Sequence, residues 1–289
     1  MLSYPVKNIG DGVFEINEFD GVSMFLVIGS ERALLIDTGV GIGNISEFVA
    51  TLTDKPLDVL VTHNHRDHCG GAPRFDRVYI SSIDKKIGPM VRPWTSKSSR
   101  RRFCDQALSR RPEVKYPWTD DDIIEYTPDD EPEVIGIEDG HVFDLGDRKV
   151  TSYLCPGHTP GSVASIDSRT GILFAADCIN TNVGVGVRPL ENPDCGLRHA
   201  TIEETAQSLQ RLWERDFDRK LVFNGHTDGR PFGEPLPEWV FPNLKDTLAA
   251  IVSGDVKIHR QHIDVIDTDV DYVEQNGVRV QFHTDNIKL

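Results

Sequence analysis

Residues 62–71 read THNHRDHCGG and crowd three histidines and an aspartate together: His63, His65, Asp67 and His68. The chain has only 10 histidines among its 289 residues. Protonated imidazoles repel one another, whereas neutral imidazoles and carboxylates are the ligands that a divalent metal ion prefers. The apolar run LDVLVTH predicts a buried strand that ends at the first of these histidines, and a turn or helix start follows. We therefore expect the four side chains to face one cavity at the carboxyl end of a strand.

Three further apolar runs stop at a residue that can bind a metal. His158 follows a strand in the loop CPGHTPGS, Asp177 ends LFAADC, and His226 ends LVFNGH. The run LLIDTG ends in the same way at Asp37, without a histidine. A buried carboxylate is costly without a partner, so we predict that Asp37 orients a ligand histidine rather than binding metal itself. A plain structural role in the turn is the alternative for this aspartate.

Composition and charge narrow the classes of partner and the compartment. The chain carries 46 acidic and 31 basic residues, a formal charge of −15, which repels phosphate backbones and argues against nucleic acid. No apolar run approaches the roughly 20 residues that span a bilayer, and the N-terminal stretch lacks a secretion signal, so we expect no membrane association. Five scattered cysteines without a CxxC pair predict reduced thiols in the cytoplasm.

The order of predicted elements indicates an α/β protein. Short strands alternate with helices over residues 44–52, 201–217 and 241–254, and a hairpin closes the chain at Asn276-Gly277. Thr201 and Glu204 have the spacing of a capping box. Strands and helices in this order predict one domain over residues 1–289, with two mixed sheets and outer helices.

Residues from about 83 to 140 differ in character from the rest and predict an inserted lid or subdomain. A basic helical stretch that contains Arg100–Arg102 runs into an acidic, proline-containing stretch. We interpret the arginines as one solvated helix face, or as partners of an anionic group on a substrate. The insertion also carries a set of large side chains that would line a pocket, form the core of the lid or make a homodimer interface: Met90, Trp94, Tyr116, Trp118 and Tyr126.

Taken in order, the blocks HxHxDH, PGHTPGS, a strand-ending aspartate and a final GH resemble the metallo-β-lactamase superfamily, from about residue 13 to residue 226. The resemblance implies an αβ/βα four-layer sandwich of two mixed β-sheets flanked by helices, with two divalent metal ions. It places His63, His65 and His158 on the first ion. It places Asp67, His68 and His226 on the second ion, with Asp177 bridging the two. Zinc suits this mixture of nitrogen and oxygen ligands, although manganese and iron also accept it.

Two such ions share a water molecule, lower its pKa and thereby supply a bridging hydroxide that attacks a carbonyl carbon or a phosphorus atom. Asp67 is the expected catalytic residue, since it can accept or return a proton near that water. The sequence therefore predicts a metal-dependent hydrolase. An iron-dependent redox protein of the dioxygenase type, a phosphodiesterase or nuclease, and a binding module without turnover remain as alternatives.

Departures from the known subfamilies narrow the substrate. By resemblance, β-lactamases of this fold have a cysteine at the position of Asp177 or lack the bridging carboxylate. Quorum-signal lactonases have a tyrosine at the position of Asn180, which weakens that assignment. Glyoxalase-II-like thioesterases share all seven ligands, but no glutathione-binding pattern is recognisable near the C-terminus. An ester, thioester or lactone of a small acyl substrate remains, unranked.

The loop over residues 180–199 follows Asp177 directly, so we expect it to border the cavity. Its candidate substrate contacts are Asn180, Arg188, Arg198 and His199, of which the arginines and the histidine would bind a substrate carboxylate.

Overall fold

The strands of the first half form one seven-stranded mixed sheet. The protein is described here by a computed structural model that covers residues 3–18, 21–92, 96–110, 118–187, 191–192, 197–263 and 268–288. In spatial order the strands are β1 (Val6–Gly10), β2 (Val13–Asn17), β3 (Ser23–Ile28), β4 (Ala33–Ile36), β5 (Leu57–Leu60), β6 (Arg77–Ser81) and β7 (Glu133–Ile137). The first four strands are antiparallel to one another and β4 to β7 are parallel. The carboxyl ends of the parallel strands therefore meet at one edge of the sheet.

The remaining strands build a second sheet and two smaller ones. They are β8 (His141–Asp144), β9 (Lys149–Leu154), β10 (Val163–Asp167), β11 (Leu173–Ala176), β12 (Asn182–Val185), β13 (Glu191–Asn192), β14 (Leu197–Arg198), β15 (Val222–Asn224), β16 (His259–Ile263), β17 (Thr268–Gln275) and β18 (Val278–Phe282). The order β15-β11-β10-β9-β8 gives a five-stranded mixed sheet, in which only β11 and β15 are parallel. The order β12-β18-β17-β16 gives a separate four-stranded sheet, and β13 pairs with β14. The sequence did not predict this additional sheet.

In the described part of the chain, five α-helices connect the strands: α1 (Ile45–Val49), α2 (Arg66–Cys69), α3 (Lys97–Arg110), α4 (Ile202–Trp213) and α5 (Val240–Ser253). Thr201 and Glu204 form the predicted capping box at the start of α4. Gly254 ends α5 with a φ of 80°, the left-handed conformation that glycine adopts readily. Both residues of the Asn276-Gly277 turn have positive φ, as a tight primed turn requires. No helix in the described ranges is long and apolar enough to cross a bilayer.

Three apolar cores define the layers of the molecule. The central core lies between the seven- and five-stranded sheets, where the ring centroids of Phe25 and Phe174 are 5.0 Å apart. A second core packs the other face of the first sheet against α1 and α3, through side chains such as Ile45 and Cys104. A third packs the other face of the second sheet against α4 and α5. The order of layers is therefore helix, sheet, sheet, helix.

The segment predicted as an insertion is anchored in the second of these cores. Its last part, residues 133–137, is the strand β7 of the first sheet, so the connection ends at residue 132 rather than near 140. Met90 and Trp118 belong to the core and Tyr126 is buried, which favours the packing role for these side chains. Trp94 and Tyr116 lie outside the described residues.

The prediction of a solvated arginine face is wrong for Arg100. This side chain is fully buried, donates hydrogen bonds to the backbone carbonyls of Gly41 and Ile124, and stacks on the ring of Tyr126. Arg101 instead pairs at the surface with Asp105 and Asp120. A buried guanidinium satisfied by backbone carbonyls holds α3 on the core, and it does not face a substrate.

Candidate metal centre

Three histidines from two loops converge at the carboxyl edge of the sheets. His63 and His65 follow β5, and His158 lies in the loop after β9. The Nε2 atom of His63 lies 3.1 Å from Nδ1 of His65, and Nε2 of His158 lies 2.9 Å from the same Nδ1 atom. Their ligand atoms are close enough to hold one ion. These are the histidines that the resemblance assigns to the first metal.

A second group lies beside the first and contains a carboxylate. Asp67 and His68 are in α2, immediately after the first loop, and His226 follows β15. The Oδ2 atom of Asp67 lies 3.9 Å from Nε2 of His68 and 3.7 Å from Nε2 of His226. These three residues form another group able to hold an ion, and they match the second metal of the resemblance.

Asp177 lies between the two groups. It follows β11 directly, and its Oδ2 atom is 3.3 Å from Nε2 of His158 and 3.3 Å from Nε2 of His226. Its Oδ1 atom is 3.4 Å from Nε2 of His68. One carboxylate therefore reaches both groups. The structure brings all seven predicted ligands together, while their binding of metal stays a prediction.

Two buried atoms of the cluster show that the site fits a cation. Nε2 of His68 and Oδ1 of Asp177 are buried, and neither makes a hydrogen bond, although the two atoms face each other at 3.4 Å. A buried polar atom left without a partner is costly, and such an atom is rare without a functional reason. Imidazole nitrogen and carboxylate oxygen are donors that zinc accepts. A pair of divalent ions in the two groups would supply the missing partners.

The electrostatics of the cluster divide its histidines into two kinds. Burial lowers the pKa of His63 well below its usual range, and burial with the neighbouring His158 lowers the pKa of His65 to about 3. Burial opposes charge on His68 and His226 as well, but Asp177 outweighs it and raises the pKa of His226 to about 9 and that of His68 well above the usual value. In the metal-free protein, protons on these two rings balance the carboxylates. Metal binding would displace those protons.

Asp37 contacts His68 and stands outside the ligand cluster. Its Oδ2 atom accepts a hydrogen bond from Nδ1 of His68 at 2.8 Å, and its Oδ1 atom accepts one from the backbone N–H of Thr62 at 2.7 Å. The hydroxyl of Thr62 donates to Oδ2 at 2.9 Å. This contact turns the Nε2 atom of His68 toward the cluster, which is the geometry expected of a residue that orients a metal ligand.

Asp84 connects the two histidine loops, and the sequence analysis missed it. The side chain is fully buried, and it accepts hydrogen bonds from the backbone N–H groups of Asn64 (3.0 Å) and Gly161 (2.7 Å) and from the hydroxyl of Thr159 (2.8 Å). Burial raises the pKa of this carboxyl, against those hydrogen bonds. The signal was present, because this acid follows the apolar run RVYIS just as Asp37 follows LLI.

Two further buried acids hold the loops that carry the site. Glu18 accepts hydrogen bonds from the backbone N–H groups of Val40, Gly41 and Ile42, just beyond Asp37. Both carboxylate oxygens of Glu15 accept from Arg230, four residues after His226. An acid at a buried position of the strand pattern VFEIN was the only sequence signal for Glu15.

The predicted substrate contacts have mixed positions. Asn180 is buried and donates to Asp228 at 3.0 Å, while Arg198 pairs with both carboxylate oxygens of Glu204. Arg198 and His199 line a cavity of about 510 Å³ beside the His158 loop. Arg188 lies outside the described residues. Contact with a substrate stays a prediction for all four.

Several named proteins are similar to this chain over 61–75% of its length. The acyl-coenzyme A thioesterase MBLAC2 of Homo sapiens is 30% identical over 206 residues, which cover 61% of this chain and 66% of that protein, slightly under two thirds of its length. The protein of that name from Gallus gallus is 27% identical, and the aligned region covers 75% of this chain and 76% of that protein. The probable polyketide biosynthesis zinc-dependent hydrolase BaeB of Bacillus velezensis is 24% identical and covers 74% of this chain and 76% of its own length.

Solved structures share the fold. A metallo-β-lactamase from Pontibacter korlensis superposes with a TM-score of 0.54 at 18% identity, over 86% of this chain and 99% of that one. This likeness confirms the predicted αβ/βα sandwich. Residues 17–226 match the family described as the metallo-β-lactamase superfamily. The seven clustered side chains, the fold and this match together show that the chain belongs to the metallo-β-lactamase superfamily.

Proposed function

We propose that the protein is a dinuclear, zinc-dependent hydrolase of acyl thioesters. The observation that carries the two-metal proposal is the position of Asp177, whose carboxylate is within 3.4 Å of histidine nitrogens from both ligand groups. The sequence left ester, thioester and lactone unranked. Relatives named as acyl-coenzyme A thioesterases, together with a zinc-dependent hydrolase, favour a thioester and zinc.

Each of the two ligand groups would hold one metal ion. His63, His65 and His158 would hold one ion, and Asp67, His68 and His226 the other, with Asp177 contacting both. When bound, the ions would lower the pKa of a water molecule toward neutrality and polarise the thioester carbonyl.

Asp67 is the residue of this chain that would accept and return a proton. Burial opposes its charge, but in the metal-free protein His68 and His226 outweigh burial and lower its pKa. Bound metal ions would replace those protonated rings as the positive charge that keeps the carboxylate ionised. Asp37 keeps the Nδ1 atom of His68 engaged at 2.8 Å, which fixes that ring while the proton moves. Both roles require the cluster to keep its geometry. Asp84 would maintain it through its hydrogen bonds to the backbone of the two histidine loops.

Metal analysis combined with a substrate panel tests the proposal. We expect about two zinc ions per purified chain, and cleavage of an acyl-coenzyme A faster than that of the matched oxygen ester and a lactone, abolished by chelation and restored by zinc. Asp177→Asn should lose activity, whereas Asp129→Asn, at an exposed acid with no hydrogen bond or ion pair in the described ranges, should keep it. Turnover that survives complete metal removal contradicts the proposal. Bound iron with oxygen uptake and no hydrolysis would favour the redox alternative instead.

A further inference from the structure

A cavity adjoins the His158 loop of the candidate metal centre. Its volume is about 510 Å³, and Pro156 and Pro160, two residues on either side of His158, line it. The hydroxyl of Ser208 in α4 donates to the carbonyl of Pro156 at 3.3 Å, so the helix lies directly against the histidine loop. The cavity therefore begins where one of the candidate ligands is held.

One stripe of α4 forms a wall of this cavity. Glu204, Gln207 and Arg211 line it at helical spacing, while the opposite stripe, which includes Ile202 and Leu209, is buried in the core. Seven residues of helix separate the first and last of these side chains, about 10 Å along the axis. The Pro156 carbonyl lies against this stripe, since its partner Ser208 stands between Gln207 and Arg211 in the helix.

The lining combines apolar and charged side chains. Ile83 and the two prolines are apolar. Arg198 is balanced by Glu204 through two hydrogen bonds of 2.8 and 2.6 Å. Arg211 is exposed, and no ion pair joins it to any residue in the described ranges. Within those ranges, a chain of net charge −15 therefore presents to this cavity a guanidinium without a carboxylate partner.

We propose that this cavity binds the 4′-phosphopantetheine arm of the thioester substrate, with the sulfur toward the His158 loop and the phosphate on Arg211. The inference rests on the proposed thioesterase function. The arm carries two amides between its sulfur and its phosphate, and the Gln207 amide in the same wall can pair with them. Guanidinium and phosphate form strong charge-assisted hydrogen bonds. Coenzyme A and a carrier protein both supply this arm.

A phosphate-dependent kinetic comparison tests the assignment. The substrates are the same acyl group on coenzyme A, on 4′-phosphopantetheine, on pantetheine without phosphate, and on a holo carrier protein. For Arg211→Gln we expect KM to rise about ten-fold for the phosphorylated small thioesters, with kcat unchanged and no change for acyl-pantetheine. Arg77→Gln is the matched control, because that exposed arginine begins β6 at the opposite edge of the sheet. Equal KM changes with and without the phosphate overturn the inference.

Binding without turnover separates this inference from the function on which it rests. Calorimetry of coenzyme A with the zinc-loaded protein should show affinity that falls about ten-fold in Arg211→Gln and not in Arg77→Gln. If no thioester is cleaved but this difference is found, the arm site stands and the proposed function fails. If thioesters are cleaved and Arg211→Gln alters neither binding nor KM, the arm site is wrong. Arg211 dependence with the carrier-protein thioester alone would identify the carrier protein as the source of the arm.

Discussion

The carboxylate of Asp84 accepts a hydrogen bond of 3.0 Å from the backbone N–H of Asn64, the residue between His63 and His65. Its other oxygen accepts one of 2.7 Å from Gly161, in the loop that carries His158. A single buried side chain thus fixes the separation of the two loops whose three histidines form the first ligand group. No ligand touches it, so its effect on metal binding is exerted through the backbone.

Replacing Asp84 should weaken metal binding without removing a ligand. In Asp84→Asn the amide keeps the shape but has one acceptor oxygen, so one of the two backbone N–H groups faces an NH₂ group. We expect metal affinity to fall by roughly 10–100-fold, the range seen when groups behind metal ligands are removed. Competition titration with a chromogenic chelator measures it. Asp147→Asn is the control, since Asp147 also accepts a backbone hydrogen bond, from Ser30 at 2.7 Å, but at an exposed site. Unchanged zinc affinity in Asp84→Asn would contradict the role of Asp84 in holding the two histidine loops.

Gly225 lies against two candidate metal ligands, so a substitution there tests whether metal holds them in place. A Cβ atom there would lie 2.7 Å from Cε1 of His68 and 2.8 Å from Oδ1 of Asp177. The His68 ring is fully buried and held by Asp37 at 2.8 Å, so the added methyl group must displace these side chains even in the metal-free protein. For Gly225→Ala we therefore expect a lower melting temperature without metal, and in addition the loss of most of the rise that zinc produces.

Thermal unfolding with and without zinc measures both quantities for Gly225→Ala. Gly10→Ala is the control, because its Cβ would meet side-chain carbons at 3.3 Å or more, of Ile172, Thr170 and Val13, and no candidate ligand. A full zinc-dependent rise in the Gly225→Ala protein would show that the two side chains are not held by metal.

Strand ends made the ligands predictable from sequence. Each of the buried runs LDVLVTH, ILFAADC and KLVFNGH stops at a candidate ligand, because the carboxyl ends of neighbouring strands meet at one edge. The capping box of α4 and the primed turn at Asn276-Gly277 were also predicted, since both are decided by residues close together in the chain.

Contacts between distant segments were not predictable in the same way. Arg230 pairs with Glu15 across more than two hundred residues, and nothing in either local pattern names the partner. Arg100 was assigned to solvent as part of the basic run Arg100–Arg102, yet the side chain is buried against backbone carbonyls of two other segments. Local periodicity reports an average face and does not report which single arginine is buried.

The buried ion pair between Arg230 and Glu15 should be expensive to break from one side. Both side chains are fully buried, and Nη2 of the arginine lies 2.8 Å from Oε1 of the acid. In Arg230→Met the carboxylate is left buried without its cation, so we expect a loss of about 3–5 kcal/mol in the free energy of unfolding. The double variant with Glu15→Gln should recover part of that loss.

Urea unfolding of the metal-free protein measures the cost of breaking this pair. Arg101→Met is the control, because its pairs are exposed and such pairs contribute about 1 kcal/mol or less. A loss in Arg230→Met no larger than in the control would mean that the buried carboxylate finds another partner.

The pair between Arg148 and Asp167 predicts a dependence of stability on acid pH. Both side chains are fully buried. Burial alone would raise the pKa of Asp167, but hydrogen bonds from Arg148 and Thr170 lower it below the ordinary value. The folded state thus binds this proton less readily than the unfolded state, in which the pKa is about 3.9. The stabilisation is present above that value and is lost as the pH falls toward the folded pKa.

Comparing Asp167→Asn with wild type across pH isolates this effect. At pH 7 the variant leaves Arg148 buried without a counter-charge, so we expect it to be less stable by about 3–5 kcal/mol. As the pH falls below about 4 the unfolded wild type takes up the proton more readily than the folded wild type does, so the difference should shrink. Urea unfolding of metal-free protein between pH 7 and pH 3 measures it, with the exposed Asp129→Asn as a control that should follow wild type throughout. A difference that stays constant to pH 3 would mean that Asp167 does not titrate differently in the folded and unfolded states.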